Sequence, residues 1–241
     1  MADIIKGMNI EKEYLKYKLQ GEKVPYELVD EIKKSGFESL EDYFNNKREY
    51  LFNQLEFEII NTSSQDVEEA WCMLYEKINQ KKTSAFLVDT TDTIVYINAS
   101  KPFNEDYCIK NNLKMFKLPL GGGTIVSGKD DIAIVFVLPD NLQTDSSFIL
   151  TGIKEILGKY EDNVAIVDND VLINGNKVCG ITFLRNNGMV VYLSHFSFSN
   201  NSELINLICH SDSKPVKPPS YITGLDKESL KMEVLKWLRY I

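Results

Sequence analysis

Histidine is nearly missing from this chain of 241 residues, which has two, and none of its four cysteines belongs to a CxxC pair. Cys72, Cys108, Cys179 and Cys209 have no histidine at metal-ligand spacing, so a fixed metal cage of the zinc type is excluded. Scattered thiols in a chain of this size point to a reducing compartment. Long apolar runs are also absent. No stretch approaches membrane-spanning length, and the opening MADIIKGMNIEKEYLK has no apolar signal core; a cytoplasmic protein with no membrane partner is expected. Excess positive charge is the third absence. A net charge of −8 argues against a nucleic-acid binder working by bulk electrostatics. There is no internal repeat and no low-complexity tract. The one linker-like piece, SKPVKPP at 213–219, is stiffened by its prolines.

What is present suits a globular domain. With 44% hydrophobic and 26% charged residues, the chain has material for one substantial core and an appendage. Up to about residue 55 the pattern is helical, because NIEKEYLKYKLQ, YELVDEIKKSG and ESLEDYFNNKREYLFNQL place apolar residues three and four apart. Gly21 and Pro25 break the first of these from the second, and Ser39 suits a helix N-cap region. Residues 1–55 are therefore expected to form a helical extension before a domain spanning 56–241. In that domain QDVEEAWCMLYEKINQ reads as an amphipathic helix with Cys72 on its apolar side. Strands SAFLVDT, TIVYIN, KMFKLPL, IAIVFVLP and GMVVYLSHFSFS alternate with helices NEDYCIKNN, DSSFILTGIKEILGKYE, SELINLICH and DKESLKMEVLKWLRYI. The fold class is α/β (α+β), a mixed sheet packed with helices.

Two motifs carry chemistry. Gly121, Gly122, Gly123 and Thr124 stand between strands, where residues without a Cβ let another group lie against the backbone and leave N–H groups free for an anion. The second motif, VDNDVLINGNKVCG, reads as a hairpin whose Asn174-Gly175 step favours a tight turn. It sets Lys177 at the start of a strand, facing the stem that carries Asp170. Asn169 and Asp170 can also stabilise an Asx-type turn. Gly180 is expected to allow close backbone approach of a ligand. Cys179, two residues beyond Lys177, is expected on the lysine's face of the strand. His195 in LSHFSFS is an interior polar residue near the site, with no partner visible in the sequence.

GGGTIVSGKDDIAIVFVLP followed by NDVLINGNKVCGI resembles the lipoate–protein ligase, octanoyltransferase and biotin–protein ligase superfamily, and within it the lipoate–protein ligases. That superfamily pairs a glycine-rich turn with an Asn-Asp…Gly-x-Lys-x-x-Gly hairpin whose lysine is catalytic. The likeness runs from about Glu56 to Leu225, through LSHFSFSNNSEL and the closing SYITGL. It implies the superfamily's catalytic domain, with Lys177 as catalytic residue. Gly121, Gly122, Gly123, Thr124, Asn169 and Gly180 would then contact the acyl ligand, and Asp170 would hold Lys177 or a magnesium ion accompanying ATP. The activity implied is attachment of a lipoyl or octanoyl-type group to a lysine of a lipoyl carrier domain through an acyl-adenylate. ATP and magnesium would serve that reaction with no tightly bound cofactor, and lipoate or octanoate would be the substrate.

Departures from the pattern open other readings. Where lipoate ligases carry an arginine pair before the glycines, this chain has Lys117-Leu118-Pro119-Leu120, and Ser127 replaces the histidine that follows them. Phosphate charge would need other cations, Lys114 or Lys117 among them. One alternative is an ATP-independent octanoyl or lipoyl transferase with Cys209 as thioester nucleophile. That residue also reads as a small hydrophobe on the buried side of LINLICH. A biotin ligase-like enzyme and a non-catalytic acyl-binding protein are the others.

Overall fold

The computed structural model describes residues 23–34, 57–63, 67–98, 102–118, 123–140, 146–209 and 217–240. NIEKEYLKYKLQ, the Ser39 segment and Gly121–Gly122 lie outside these. Ten strands and six helices are assigned among the described residues. In chain order they are α1 (Tyr26–Lys34), β1 (Glu58–Ser63), α2 (Val67–Asn79), β2 (Ser84–Asp89), β3 (Ile94–Asn98), α3 (Glu105–Lys110), β4 (Lys114–Leu118) and β5 (Ile125–Ser127). There follow β6 (Ile132–Pro139), α4 (Ser146–Leu157), β7 (Val164–Val167), β8 (Asp170–Ile173), β9 (Asn176–Asn186), β10 (Met189–Phe196), α5 (Ser202–Ile208) and α6 (Lys227–Tyr240).

Seven strands form a mixed sheet in the order β1-β2-β6-β10-β9-β8-β7. Only β1 and β2 run parallel within it, joined through α2. Strands β6 and β10 sit at its centre, and every residue of β10 is buried. Their unbroken apolar runs follow from burial on both faces. A smaller sheet, β4-β3-β5, is inserted between β2 and β6, and its Val95 and Val126 pack against Cys108 of α3 and Ile208 of α5.

The large sheet has two apolar faces. One packs Ile134, Phe136, Tyr192 and Ile181 against α4 and α6, through Ile149, Ile153, Ile156, Leu230 and Val234. Buried positions of α4 recur three and four residues apart, which puts one stripe on the sheet. The opposite face packs Phe86, Val135, Val191 and Leu193 against Leu74 and Ile78 of α2. Leu28 of α1 is 3% exposed and belongs to the first core. Asp226 caps α6 by accepting the Ser229 N–H at 2.9 Å, which lowers the Asp226 pKa.

The strands between α4 and α5 form a meander rather than one long hairpin. Asp168 takes a positive φ of 57°, and the chain reverses at Asp168-Asn169 so that Val167 pairs with Asp170. Asn174 and Gly175, with φ of 51° and 79°, make the next turn, and Asn187 and Gly188, at 51° and 74°, the third. Positive φ at both turn residues matches the twist of the strands. Cys72 is exposed, against the sequence expectation. The buried side of α2 runs through Leu74 and Ile78, and a position two before Leu74 falls off that stripe. No disulfide joins the four cysteines. Among the described residues no helix is long and apolar enough to cross a membrane.

Helix α4 meets α6 at Gly152, where a Cβ would run into the Trp237 indole, itself stacked on Phe148 with centroids 5.7 Å apart. Gly152→Val should therefore cost about 1–3 kcal/mol of stability through overpacking. A thermal melt of the variant checks this, and an unchanged midpoint would show that the two helices are not in tight contact.

Candidate functional site

Five cross-strand partners lie in one row on the α2 side of the large sheet. Val88 of β2 is opposite Ala133 of β6, and Ala133 is opposite His195 of β10. His195 is opposite Gly180 of β9, and Gly180 is opposite Asp170 of β8. Directly paired residues present side chains to the same face, so the row runs from an apolar end at Val88 to a charged end at Asp170.

The apolar end is a cavity between the large sheet, the small sheet and α2. It holds about 620 Å³ of empty space including its open mouth, with Trp71, Phe86, Val88, Tyr96, Ala133 and Leu193 in its wall. His195 closes one side. Burial pushes the Tyr96 phenol up to about 12, so the wall carries no charge from that group at neutral pH.

At the charged end the strand pairing is irregular. Asp170 pairs with Gly180 and Val171 with Cys179, but Leu172 pairs with Lys177, leaving Val178 as one extra residue on β9. This β-bulge decides which side chains meet. Asp170 and Leu172 share a face of β8, so their partners Gly180 and Lys177 share a face of β9 although three residues apart. Lys177 Nζ lies 2.7 Å from Asp170 Oδ1. Its side chain crosses the space above Gly180, where a Cβ would stand 2.7 Å from Nζ and 2.9 Å from Cε. The glycine thus makes room for the lysine. Cys179 is on the other face, contrary to the two-residue spacing. It is 1% exposed in the main core, and burial raises its thiol pKa.

A second lysine, absent from the sequence expectations, completes this end. Lys217 Nζ lies 3.1 Å from Asp170 Oδ2, 3.2 Å from Asp168 Oδ2 and 2.7 Å from the Val167 carbonyl. The segment that carries it is no linker. Lys177 N–H donates to the Pro218 carbonyl and Ser220 N–H to the Lys177 carbonyl, both at 2.8 Å. Further on, Glu161 Oε1 accepts the N–H groups of Thr223 and Gly224 at 2.8 and 2.6 Å. Because ammonium groups hold both Asp170 oxygens, magnesium there would have to displace a lysine, and the donor set does not fit that ion. Among the described residues no group of three or more His, Cys, Asp or Glu could hold a metal.

Around His195 the sequence gives little warning of what gathers. Its Nε2 lies 2.9 Å from Ser127 Oγ, which is 3.0 Å from Thr90 Oγ1. Asp131, 0% exposed, accepts from the backbone N–H of Gly128, Phe198 and Ser199 and from Asn201 Nδ2, at 2.7, 2.7, 2.9 and 2.9 Å. It also stands 3.6 Å from His195 Nε2. Burial lowers the His195 pKa, Lys177 lowers it further and Asp131 works against both. The signal that could have found this cluster is Asp131 itself, a carboxylate directly before the buried run IAIVFVLP.

Other expected site residues are distributed as follows. Asn169 is exposed, and its side-chain oxygen accepts from the Ser146 hydroxyl at 2.9 Å, tying the hairpin to the start of α4. Gly123 is exposed. The Thr124 hydroxyl is buried with no partner among the described residues, one position before the cavity residue Ile125. Lys114 faces Asp92 at 3.4 Å on the surface. Cys209 is 5% exposed at the C-cap of α5, its backbone bridged to Phe103.

Known proteins share this architecture. The family model for the lipoyl protein ligase A/B catalytic domain matches residues 66–233. No curated protein matches the chain in sequence. Among solved structures, LipL1 of P. falciparum in complex with lipoate superposes with a TM-score of 0.64 at 12% identity, covering 74% of this chain. The chain spans 60% of the length of LipL1. The bi-partite lipoate protein ligase of Thermoplasma acidophilum, solved with its E2 lipoyl domain, gives 0.60 at 13% identity over 76% of this chain and 82% of its own. A lipoate-protein ligase A bound with ATP gives 0.58 at 12% identity over 76% and 83%. At such identities the structures speak for the fold. The family match spans well over half of the sequence, and the chain belongs to the lipoyl protein ligase A/B catalytic-domain family.

Proposed function

We propose that this protein attaches a lipoyl or octanoyl-type acyl group to a lysine of a lipoyl carrier domain, through an acyl-adenylate made from ATP. The observation that carries this reading is the row across the sheet. An apolar cavity for an aliphatic tail ends at His195, and the next position holds Gly180 with the Lys177 ammonium lying across it. A charged carboxylate would be poorly placed among the apolar walls, so the tail enters first and the carboxyl group stays beside Lys177. The family match supports the same chemistry, as do the related structures in complex with lipoate and bound with ATP.

The steps follow from leaving-group chemistry. A free carboxylate does not acylate an amine, because oxide is too poor a leaving group. Its oxygen attacks the α-phosphorus of ATP, and pyrophosphate departs. The carrier's lysine nitrogen then bonds to the carbonyl carbon while the bond to the phosphate oxygen breaks and AMP leaves. Negative charge grows on the carbonyl oxygen in this second step, and the Lys177 ammonium stabilises it. Asp170 and Lys217 hold Lys177 in place. In place of the family's arginine pair, Lys177 is the cation available to the phosphate beside the acyl group.

A second reading, acyl binding without adenylation, is favoured by Leu118-Pro119-Leu120 in the place of those arginines. Incubating the protein with lipoate or octanoate, ATP and a lipoyl domain, then weighing the domain and measuring AMP, separates the two. Acylated domain with AMP supports ligation. Saturable acid binding without either product supports the second reading.

Three variants probe the machinery. Lys177→Met should lower transfer by about 10²-fold or more. Stability should move by less than about 1 kcal/mol, because the ion pair is partly exposed and Asp170 keeps Lys217; unaltered turnover would remove Lys177 from the mechanism. Gly180→Ala should fold normally yet slow transfer by roughly 10²-fold, because the new methyl group pushes Lys177 off its path. A wild-type rate there would mean that the lysine's position does not matter. Cys209→Ala should retain ATP-dependent transfer, because the acyl group never visits a thiol, and a trapped acyl mass on the Cys209 peptide without ATP would overturn that.

A further inference from the structure

His195 is the ionisable side chain that joins the cavity to the charged end, and its hydrogen bonding leaves one ring nitrogen in reserve. Ser127 Oγ at 2.9 Å and Asp131 Oδ2 at 3.6 Å both face Nε2. A carboxylate and a hydroxyl gathered at one nitrogen favour the tautomer with its proton there. This is not a Ser-His-Asp relay, in which the carboxylate and the hydroxyl occupy opposite nitrogens of the ring. Nδ1 then carries a lone pair, and no hydrogen bond to it is made among the described residues. Burial beside Lys177 keeps the ring neutral at physiological pH.

On the acyl-transfer reading, on which this rests, the carrier's lysine brings a proton that must leave. A lysine side chain is an ammonium near neutral pH, and its nitrogen must be uncharged to attack and must shed a further proton to become an amide. The other groups at the mouth are unsuited to receive it. Lys177 is a cation, and Asp170 is held by Lys177 and Lys217. Asp131 is saturated by four donors, and the Tyr96 phenol keeps its own proton. We propose that His195 is a catalytic residue, and that its Nδ1 takes the proton from the attacking amine as the amide forms. The lysine ammonium first loses one proton to solvent; the nitrogen–carbon bond then forms, the bond from carbonyl carbon to phosphate oxygen breaks with its electron pair leaving on AMP, and the nitrogen's second proton ends on His195, from which solvent removes it.

The test compares two acceptors on the full chain with preformed lipoyl-AMP. One is a lipoyl domain, whose strongly basic lysine nitrogen needs a positioned base to take its proton; the other is hydroxylamine, so weakly basic that its nitrogen gives up the proton to water. His195→Gln keeps an amide donor for Ser127 but has no basic nitrogen. It should slow transfer to the domain by about 10²-fold and change the hydroxylamine rate by no more than a few-fold. Equal losses on both acceptors, or no loss on the domain, would overturn the assignment. If the glutamine variant does not fold, His195→Asn is read by the same ratio of rates. A wild-type chain inert towards both acceptors would sink the acyl-transfer reading itself, and this role with it.

Discussion

The arrangement at the charged end depends on a single extra residue in β9. In a regular strand, residues three apart point to opposite faces, and Lys177 would then project away from Gly180. The bulge at Val178 reverses this. The hairpin turn already sets Lys177 opposite Leu172 on the face of Asp170; the bulge brings Gly180 onto that face and turns Cys179 into the main core. Gly180 then leaves open the volume that the lysine's terminal atoms occupy, and a Cβ there would displace them. The Asn174-Gly175 turn fixes where the bulge can sit, since its two positive-φ residues set the register of the hairpin.

Electrostatics organise the rest of the site at short range, against a chain whose overall charge is −8. Long-range attraction of an acidic carrier domain would be weak or repulsive, so recognition falls to local cations. Two are concentrated at Asp170. Asp168 and Asp170 balance these two ammonium groups, so what an approaching anion meets is the partly exposed Lys177 side chain, at 36%, rather than a net positive patch. The prolines around Lys217 stiffen that segment, and its backbone bonds to Lys177 lock it beside β9. A segment with the composition of a spacer thereby works as part of the site.

Much of this was legible in the sequence, and the failures share one physical cause. Local rules place the helices α2 to α6, the Asn-Gly turn and the facing of Lys177 towards Asp170, because each depends on residues a few positions apart. What escaped depends on register or on distant partners. Cys179 was assigned to the wrong face because a bulge has no signature in a two-residue alternation. Cys72 was assigned to the core because the helical stripe admits a one-position shift until its packing partner is known. Thr90, Ser127, Asp131 and His195 meet only through the pairing of β2, β6 and β10 and the placement of the small sheet. Nothing in LSHFSFS announces Ser127, 68 residues earlier, as the partner of His195.

The same geometry explains how a site with so few histidines and no arginine pair could still run acid–base and anion chemistry, if the acyl-transfer reading holds. Charge is kept at the mouth, where Lys177 remains partly in water and can follow a charge that moves from carboxylate to phosphate to carbonyl oxygen; a compact ammonium on a flexible stem suits that task better than a planar guanidinium. The proton acceptor is kept where the wall turns apolar, because a neutral imidazole loses little on burial and an imidazolium would lose much. Asp131 moderates that loss from beneath. It is held in place by four donors, and the imidazolium formed in transfer would find its carboxyl oxygen at 3.6 Å. Division of labour between an exposed cation and a buried neutral base follows directly from where each stands in the row from Val88 to Asp170.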